Sequence, residues 1–496
     1  MYEPYEKKVN QILLPGDFFL PFGGKLNPDN RWCKLAQLIP WAKVDQKYAK
    51  SFKKSIRGQH AVSIRMALGA LIIQERLQLS DRETLEQLTE NPYLQYFIGL
   101  SGFQDRRPPF HHSLMTHFRK RLDAAVLQEI NEWIAIESAK QEQDRDDDDS
   151  TPTTGKKISA KRKRSSTVPE EDPNQGTLLL DATCAPADIA YPTDIALLNV
   201  GREKLEEIMD VLHEPHRGKL AKPRSYREKA RQAYLVVAKQ RRIGQKKLRK
   251  AIGKQLKFIA RDLRIIEQLA DITPLTVLNK RQYKNLLVVQ ELYRQQLEMY
   301  TKRTHQIDDR IVSIHQPHVR PIVRGKAKAK VEFGSKVSMS LVNGYAIIER
   351  MQWDSFHEGV TLMESVEAYK IRFGHYPKVV LADQLYRNRE NLAYCKERGI
   401  RLSGPKLGRP SINEGTRELK RIAYQDATER NAIEGKFGEG KRKYGLGRIR
   451  ARLAQSSFTV VALQVLVMNL ERRLRVLFLY FRYMLQLAFG RALLIG

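Results

Sequence analysis

Two strand-like runs, VEFGSKVSMSLV (331–342) and YAIIERMQWD (345–354), meet at Asn343-Gly344. Asn-Gly supplies the two positive-φ positions that a tight antiparallel turn needs, so this stretch predicts a β-hairpin with a fixed register. The segments downstream of the hairpin narrow the fold. A helical stretch over 358–373 leads to the apolar strand KVVLAD ending at Asp383, a helix over 389–398, a short strand IRLSG and a helix around 426–436. Upstream, TLLLDAT (177–183) reads as a buried strand that closes on Asp181.

Between that strand and the hairpin lie the long, polar, helix-favouring residues 201–310. With this insertion set aside, the order is β-β-β-α-β-α-β-α. The fold class expected is therefore α/β, a ribonuclease-H-like catalytic core with a helical N-terminal domain and a long helical insertion after the first core strand. The expected division is a helical N-terminal DNA-binding domain at 1–140, a disordered charged linker at 141–176, and a core from 177–200 with 311–480. The basic insertion at 201–310 and a C-terminal tail at 481–496 complete it.

Charge separates these regions. The chain of 496 residues carries 87 Lys+Arg against 56 Asp+Glu, a net +31, which favours a polyanionic partner, nucleic acid before acidic lipid. In the insertion, residues 217–264 hold 18 Lys/Arg against Glu228 and Asp262 alone, threaded with apolar positions at helical spacing. That stripe is expected to pack in a hairpin against 286–300, leaving Arg241, Arg242, Lys246 and Lys247 on a basic face for DNA phosphates. The linker combines acidic Asp146–Asp149 with basic KRKR at 161–164 and little hydrophobicity, the composition of a solvated segment.

The N-terminal stretch is amphipathic and helical. Ser80 with Glu83 reads as a capping box, and Ser113 as the cap of one long helix over LMTHFRKRLDAAVLQEINEWI. Its early His117, Arg119, Lys120 and Arg121 form a basic cluster that suits either a helix-turn-helix-like module or the solvated face of an ordinary bundle. Cys33, Cys184 and Cys395 are widely spaced, so neither a disulfide framework nor a zinc cluster is expected. The N-terminus MYEPYEKKVN carries Glu3, Pro4 and Glu6 where a signal peptide needs a basic start and an apolar run, and the apolar run 459–470 meets Glu471, Arg472 and Arg473 before it could span a bilayer. A buried helix there and a cytoplasmic, nucleoid-associated chain are expected.

In the expected core the first and fourth strands run parallel, about 4.8 Å apart. Asp181 and Asp383 then lie together in the crevice beyond the strand ends, where a divalent cation would relieve their repulsion. Oxygen ligands favour Mg²⁺ or Mn²⁺. Glu434, on the last helix, is the candidate third carboxylate that would permit two ions. Any single acid among 56 is more often a cap or turn residue, but all three at these places is a rarer coincidence.

At these residues the chain resembles the DDE transposases of bacterial and archaeal insertion sequences, in the broad group containing insertion-sequence families four and five. The similar segments are LLLDATCAPADIAYPTDIALLN, RGKAKAKVEFGSKVSMSLVNGYAI, VLADQLYRNRENLAYCKERGIRLSGPKLGRP and RNAIEGKFGEGKRKYGL, with an N-terminal helical region around 57–122. The resemblance implies that Asp181, Asp383 and Glu434 are the catalytic and metal-binding triad. It also implies a Tyr, Arg, Glu, Lys signature with gaps of two, three and six residues, met here by Arg430, Glu434 and Lys441. The tyrosine slot holds Ala427, with Tyr424 three residues earlier. Gly435, Gly438 and Gly440 each disfavour helix, so Lys441 lies either on one helix face with Arg430 and Glu434 or on a basic loop with Arg442 and Lys443.

Other residues point less clearly to chemistry. His111, His112, His117, His315 and His318 lack the spacing of a metal site, and Asp194 in YPTD is explained by turn chemistry as well as by proximity to a pocket. Gly24-Lys25 is followed by Leu26, so no P-loop implies ATP. The function expected is a transposase that binds its element's terminal inverted repeats in duplex DNA as a homodimer or larger. It would cleave there and join the 3′-hydroxyl to target DNA. A nuclease or resolvase of similar fold, or a catalytically silent DNA-binding relative, are the rivals.

Overall fold

The computed structural model describes residues 13–52, 61–148, 174–323, 331–405 and 417–492. The KRKR segment at 161–164, most of the expected linker, and the basic residues of RGKAKAK lie outside the described residues.

Seven helices precede the first strand among the described residues: α1 (Arg31–Leu38), α2 (Trp41–Lys50), α3 (Ile64–Leu77), α4 (Asp81–Glu90), α5 (Pro92–Phe97), α6 (Leu114–Arg121) and α7 (Ala124–Asp148). Helix α3 is their centre, buried continuously from Ile64 to Gln74 apart from Met66. The predicted capping box opens α4: Ser80 N–H donates to Glu83 Oε2 at 2.7 Å and Glu83 N–H donates to Ser80 Oγ at 3.3 Å. The single long helix expected from Ser113 is instead two. It breaks at Leu122, where Asp123 accepts from Val126 N–H and starts α7, and Ser113 makes no side-chain cap of its own. His111 lies there, its Nδ1 2.8 Å from Ser113 Oγ.

Strand β1 (Thr177–Pro186) leads into the insertion, α8 (Asp194–His213), α9 (Arg227–Ala238), α10 (Gln245–Ala270) and α11 (Lys280–Lys302). Then come β2 (Arg320–Val323), β3 (Val331–Val342), β4 (Tyr345–Gln352), α12 (Thr361–Phe373), β5 (Val379–Ala382), α13 (Arg389–Glu397), β6 (Arg401–Leu402), α14 (Arg417–Lys443) and α15 (Ala454–Ala492). The predicted hairpin joins β3 to β4, with φ of 47° at Asn343 and 79° at Gly344. Strand β2 adds to the expected order. It has four residues and contains Pro321, which is tolerated because it pairs only along the outer edge of β3.

The sheet is mixed. Strand β3 runs antiparallel beside β1, while β1, β5 and β6 are parallel neighbours. Residues alternate between its faces, as strand geometry requires. Leu178, Leu180, Val380 and Ala382 pack with α12 and α13, whereas Leu179, Leu341, Met339 and Leu381 join a core shared with the N-terminal helices and α15. The apolar run near the C-terminus is indeed a buried helix, but α15 continues to Ala492 through the expected tail. A buried polar knot fastens this junction: Asn469 Oδ1 accepts from Ala346 N–H at 2.9 Å, and Asn469 Nδ2 donates to Asn131 Oδ1 at 2.8 Å.

The insertion has its own core. The stripe of α10 meets α8 as well as the α11 partner expected for it, through Leu256, Ile259, Ile266 and Leu269 against Leu205, Ile208 and Leu212 and against Val289 and Leu292. Among the described residues no helix is long and apolar enough to cross a membrane.

Candidate active site

Parallel pairing between β1 and β5 ends at Leu180 opposite Ala382. The next residue on each chain is an aspartate, Asp181 and Asp383. Contrary to the expectation that Asp181 ends its strand, β1 continues to Pro186 with Asp181 opposite Met339 of β3. It lies beyond the parallel ladder because β5 stops first, which frees that edge. Asp383 Oδ1 then caps the turn after β5 by accepting from Gln384 N–H at 2.6 Å.

Helix α14 brings the third carboxylate. It is longer than the predicted 426–436 and runs unbroken to Lys443, so Arg430, Glu434 and Lys441 share one helix. Gly440 is tolerated because the helix passes close to its neighbours there: a Cβ would stand 3.1 Å from Leu446 Cδ2 and from Met468 Sδ.

One cavity of about 560 Å³ is lined by Asp181, Asp383, Glu434, Arg430 and Lys441 together, with Glu358, Leu385 and Phe437 among its other walls. Arg430 stands between two of the acids, 3.9 Å from Asp383 and 3.5 Å from Glu434. Lys441 lies 3.7 Å from Glu332 of β3. Burial pushes the Asp181 carboxyl up to about 6, and the negative charges of Glu358 and Glu434 push the same way. The Ala182 N–H, donated at 2.7 Å, and Arg430 offset part of that rise.

Glu358 is the acid that the sequence did not single out. It comes from a short 3-10 turn before α12 and pairs with Lys336 of β3 at 3.0 Å. Nothing in its local sequence separates it from a turn carboxylate, since only the packing of that turn against β3 turns it towards the cavity.

Other predicted residues lie elsewhere. Arg442 and Lys443 are exposed at the end of α14. Tyr424, 78% exposed, does not line the cavity, nor does Ala427. Arg119 binds Asp81 and Gln74, tying α6 to α3 and α4, while Lys120 beside it is exposed. Arg241, Arg242, Lys246 and Lys247 are exposed around the α9–α10 connection, away from the cavity lining. Asp194 opens α8 and pairs with Arg310 at 2.7 Å, a structural role. His318 packs edge-on against Trp353. Among the described residues no three His, Cys, Asp or Glu side chains already stand at metal-binding spacing, the catalytic candidates included.

Residues 380–471, which contain Asp383, Arg430, Glu434 and Lys441, match the family described as Transposase DDE domain. Residues 21–121 match a second family, described as Transposase domain (DUF772). Over 172 residues the chain is 30% identical to the uncharacterised protein ORF8 in the nfe locus of Rhizobium meliloti, a stretch covering 35% of this chain and 69% of that protein. No solved structure matches.

Proposed function

Because the chain belongs to the insertion-sequence DDE transposases, we propose that it cuts DNA at the ends of its element and joins the freed 3′-hydroxyl to a target. Asp181, Asp383 and Glu434 are its catalytic residues in this reading. The observation that carries it is the meeting of three carboxylates, from β1, from the turn after β5 and from α14, in one cavity with Arg430 and Lys441. The succession of hairpin, helix, strand, helix, strand and helix around β1 supports a ribonuclease-H-like core.

The donors in the cavity are carboxylate oxygens, and a carboxyl raised to about 6 by burial and by neighbouring acids marks a place short of positive charge. That chemistry fits hard Mg²⁺ or Mn²⁺, held by Asp181, Asp383 and Glu434 in one or two ions. When bound, such ions would make an oxygen nucleophile available and neutralise charge on the reacting phosphodiester.

The protein's own groups do the rest. Arg430 screens Asp383 from Glu434 in the free enzyme and is within reach of a phosphate lying between them. Lys441, with Arg442 and Lys443 one step along α14, would hold the same strand by its phosphates. Leu385 and Phe437 add apolar surface to the cavity wall. Residues 177–200 with 311–480 would do the cutting. Residues 1–140, through Lys120, and the insertion 201–310, through Arg241, Arg242, Lys246 and Lys247, would hold the terminal inverted repeats. Arg119 would serve that surface indirectly, since Asp81 already holds it. Holding two ends at once calls for a dimer or larger assembly, working at the nucleoid.

The test is incubation of the full chain with Mg²⁺ and duplex DNA carrying the element's two ends. Cleaved ends and joined products are expected. Cleavage without joining would make it a nuclease, and binding without cleavage a silent DNA-binding protein.

A further inference from the structure

A second cavity, of about 540 Å³, opens between the insertion and the chain that leaves β1. Its size is that of ligand clefts generally, about 300–1,000 Å³. Arg281 and Lys284 reach it from α11, and Arg452 from the segment before α15. All three are exposed, and among the described residues no carboxylate pairs with any of them. The acid in the lining, Asp188, is already held by Arg448 at 2.8 Å. Further along α11 two cations are spent locally: Arg294 pairs with Glu291 at 2.6 Å and Lys302 with Glu298 at 2.7 Å.

The positive potential has an internal witness. His315, also in the lining, is held below its ordinary value by burial and then by Lys204, Arg281, Arg452 and Lys284. The same lining includes apolar side chains, Leu197 and Val200 of α8 and Ile314. Cations beside apolar side chains suit a ligand with anionic groups carried on an uncharged, partly apolar scaffold, as the phosphates and sugars of a DNA backbone are.

We infer that this cleft is a second DNA subsite, in which backbone phosphates of a strand leaving the catalytic cavity bind Arg281, Lys284 and Arg452 while the sugar lies on Leu197, Val200 and Ile314. The inference rests on the transposase reading. The two cavities are joined by continuous structure. Tyr191, 76% exposed at the cleft, packs edge-on against Phe333 at 5.6 Å, and the neighbouring Glu332 holds Lys441 of the catalytic cavity. Asp181 is on β1 and Asp188 two residues past its end, so at about 3.3 Å per residue they are at most about 23 Å apart. At about 3.4 Å of duplex axis per nucleotide, the phosphates held in the cleft lie within about seven nucleotides of the cleaved bond.

The full chain and a triple variant, Arg281→Gln with Lys284→Gln and Arg452→Gln, are titrated with a random-sequence duplex long enough to reach both cavities, over a range of salt. Each phosphate contact contributes about 0.9 to the slope of log affinity against log salt. The triple variant is expected to lower that slope by about 2 to 3. A control, Lys140→Gln with Lys370→Gln and Lys396→Gln, removes three exposed lysines that line neither cavity and should lower it by less than about 1. Equal slopes for the two variants overturn the subsite and leave the transposase reading standing. Absence of salt-dependent binding by the unmodified chain overturns both. Should the triple variant fail to fold, the unmodified chain decides: bound duplex should protect Lys284 from acylation and Arg281 and Arg452 from an arginine-directed dicarbonyl. Equal labelling with and without DNA refutes the subsite.

Discussion

The sheet region and the helical insertion each contain a carboxyl raised far above its ordinary value, and the two have opposite meanings. Asp181, at about 6, opens onto a cavity with three further acids and two cations. Asp262 of α10, at about 7, is 0% exposed in the interior of the insertion, and neither of its oxygens has a hydrogen-bond partner. Burial is the first cause in both, with Glu206 adding to the rise at Asp262 while Arg202, Arg261 and Arg227 reduce it. A raised acid therefore does not mark a site by itself. What distinguishes Asp181 is access to solvent-sized space and the company of acids from other elements. In the insertion Asp262 is enclosed, and Glu206 beside it is paired with the buried Arg202, while cations such as Arg241 and Lys246 stand outside.

The strongest way to break this contrast is to remove a cavity acid. Asp181→Ala or Glu434→Ala should lower DNA cleavage by about a thousandfold or more, the several kcal/mol expected of a lost metal ligand, with DNA binding kept. Asp262→Asn should leave cleavage within a few-fold. Retained cleavage by either cavity variant would remove the catalytic assignment, and loss of cleavage in Asp262→Asn would erase the contrast.

Next in size is the outer face of the insertion. Replacing Arg241, Arg242, Lys246 and Lys247 by Glu should weaken binding to duplex DNA about tenfold to a thousandfold and lower the salt slope by about 3. An unchanged slope would show that this face points away from DNA.

The smallest effect expected concerns pH. A buried acid whose value is raised on folding keeps a proton that the unfolded chain releases near pH 4, so its neutral form stabilises the fold below that pH. That stability is lost as pH rises towards about 7. Hydrogen exchange in α8 and α10 should thus report an insertion weaker at pH 8 than at pH 5 by roughly 1–3 kcal/mol. In Asp262→Asn the difference should disappear, and its persistence would assign the titration to another group.

Much of the fold is legible in the sequence because its signals are local. Asn343-Gly344 needs only its own φ preferences to make a turn, and Ser80 with Glu83 needs only a helix start. Longer-range features are harder to read. The sequence after Ser113 suits one long helix, but packing of α6 against α3 and α7 against α15 requires two directions and hence a break at Leu122. The glycines of α14 lower helix propensity, yet the close approach at Gly440 to Leu446 and Met468 overrides them. Strand β2 is too short to show a period.

The candidate site divides in the same way. Asp383 and Glu434 are legible from element order and the family resemblance, as is Arg430 at one helical turn from Glu434. Glu358 is not, because its place in the cavity depends on a turn packing against Lys336 of a strand that is twenty-two residues earlier in sequence. Arg119 reads as a free cation in sequence because its partner, Asp81, lies on a separate helix.

By itself the sequence determined where most of the strands and helices lie, which region carries the positive charge, and which acids belong to the core strands and the last core helix, since propensity, period and charge are properties of neighbours in the chain. Tertiary structure decided that β5 stops at Ala382 while β1 runs on past Asp181, which is what opens a cavity between them. It also decided which charges meet. Electrostatic and packing energies depend on distance in space, and the distances from Arg430 to Asp383 and from Lys336 to Glu358 are set only when the helices close on the sheet.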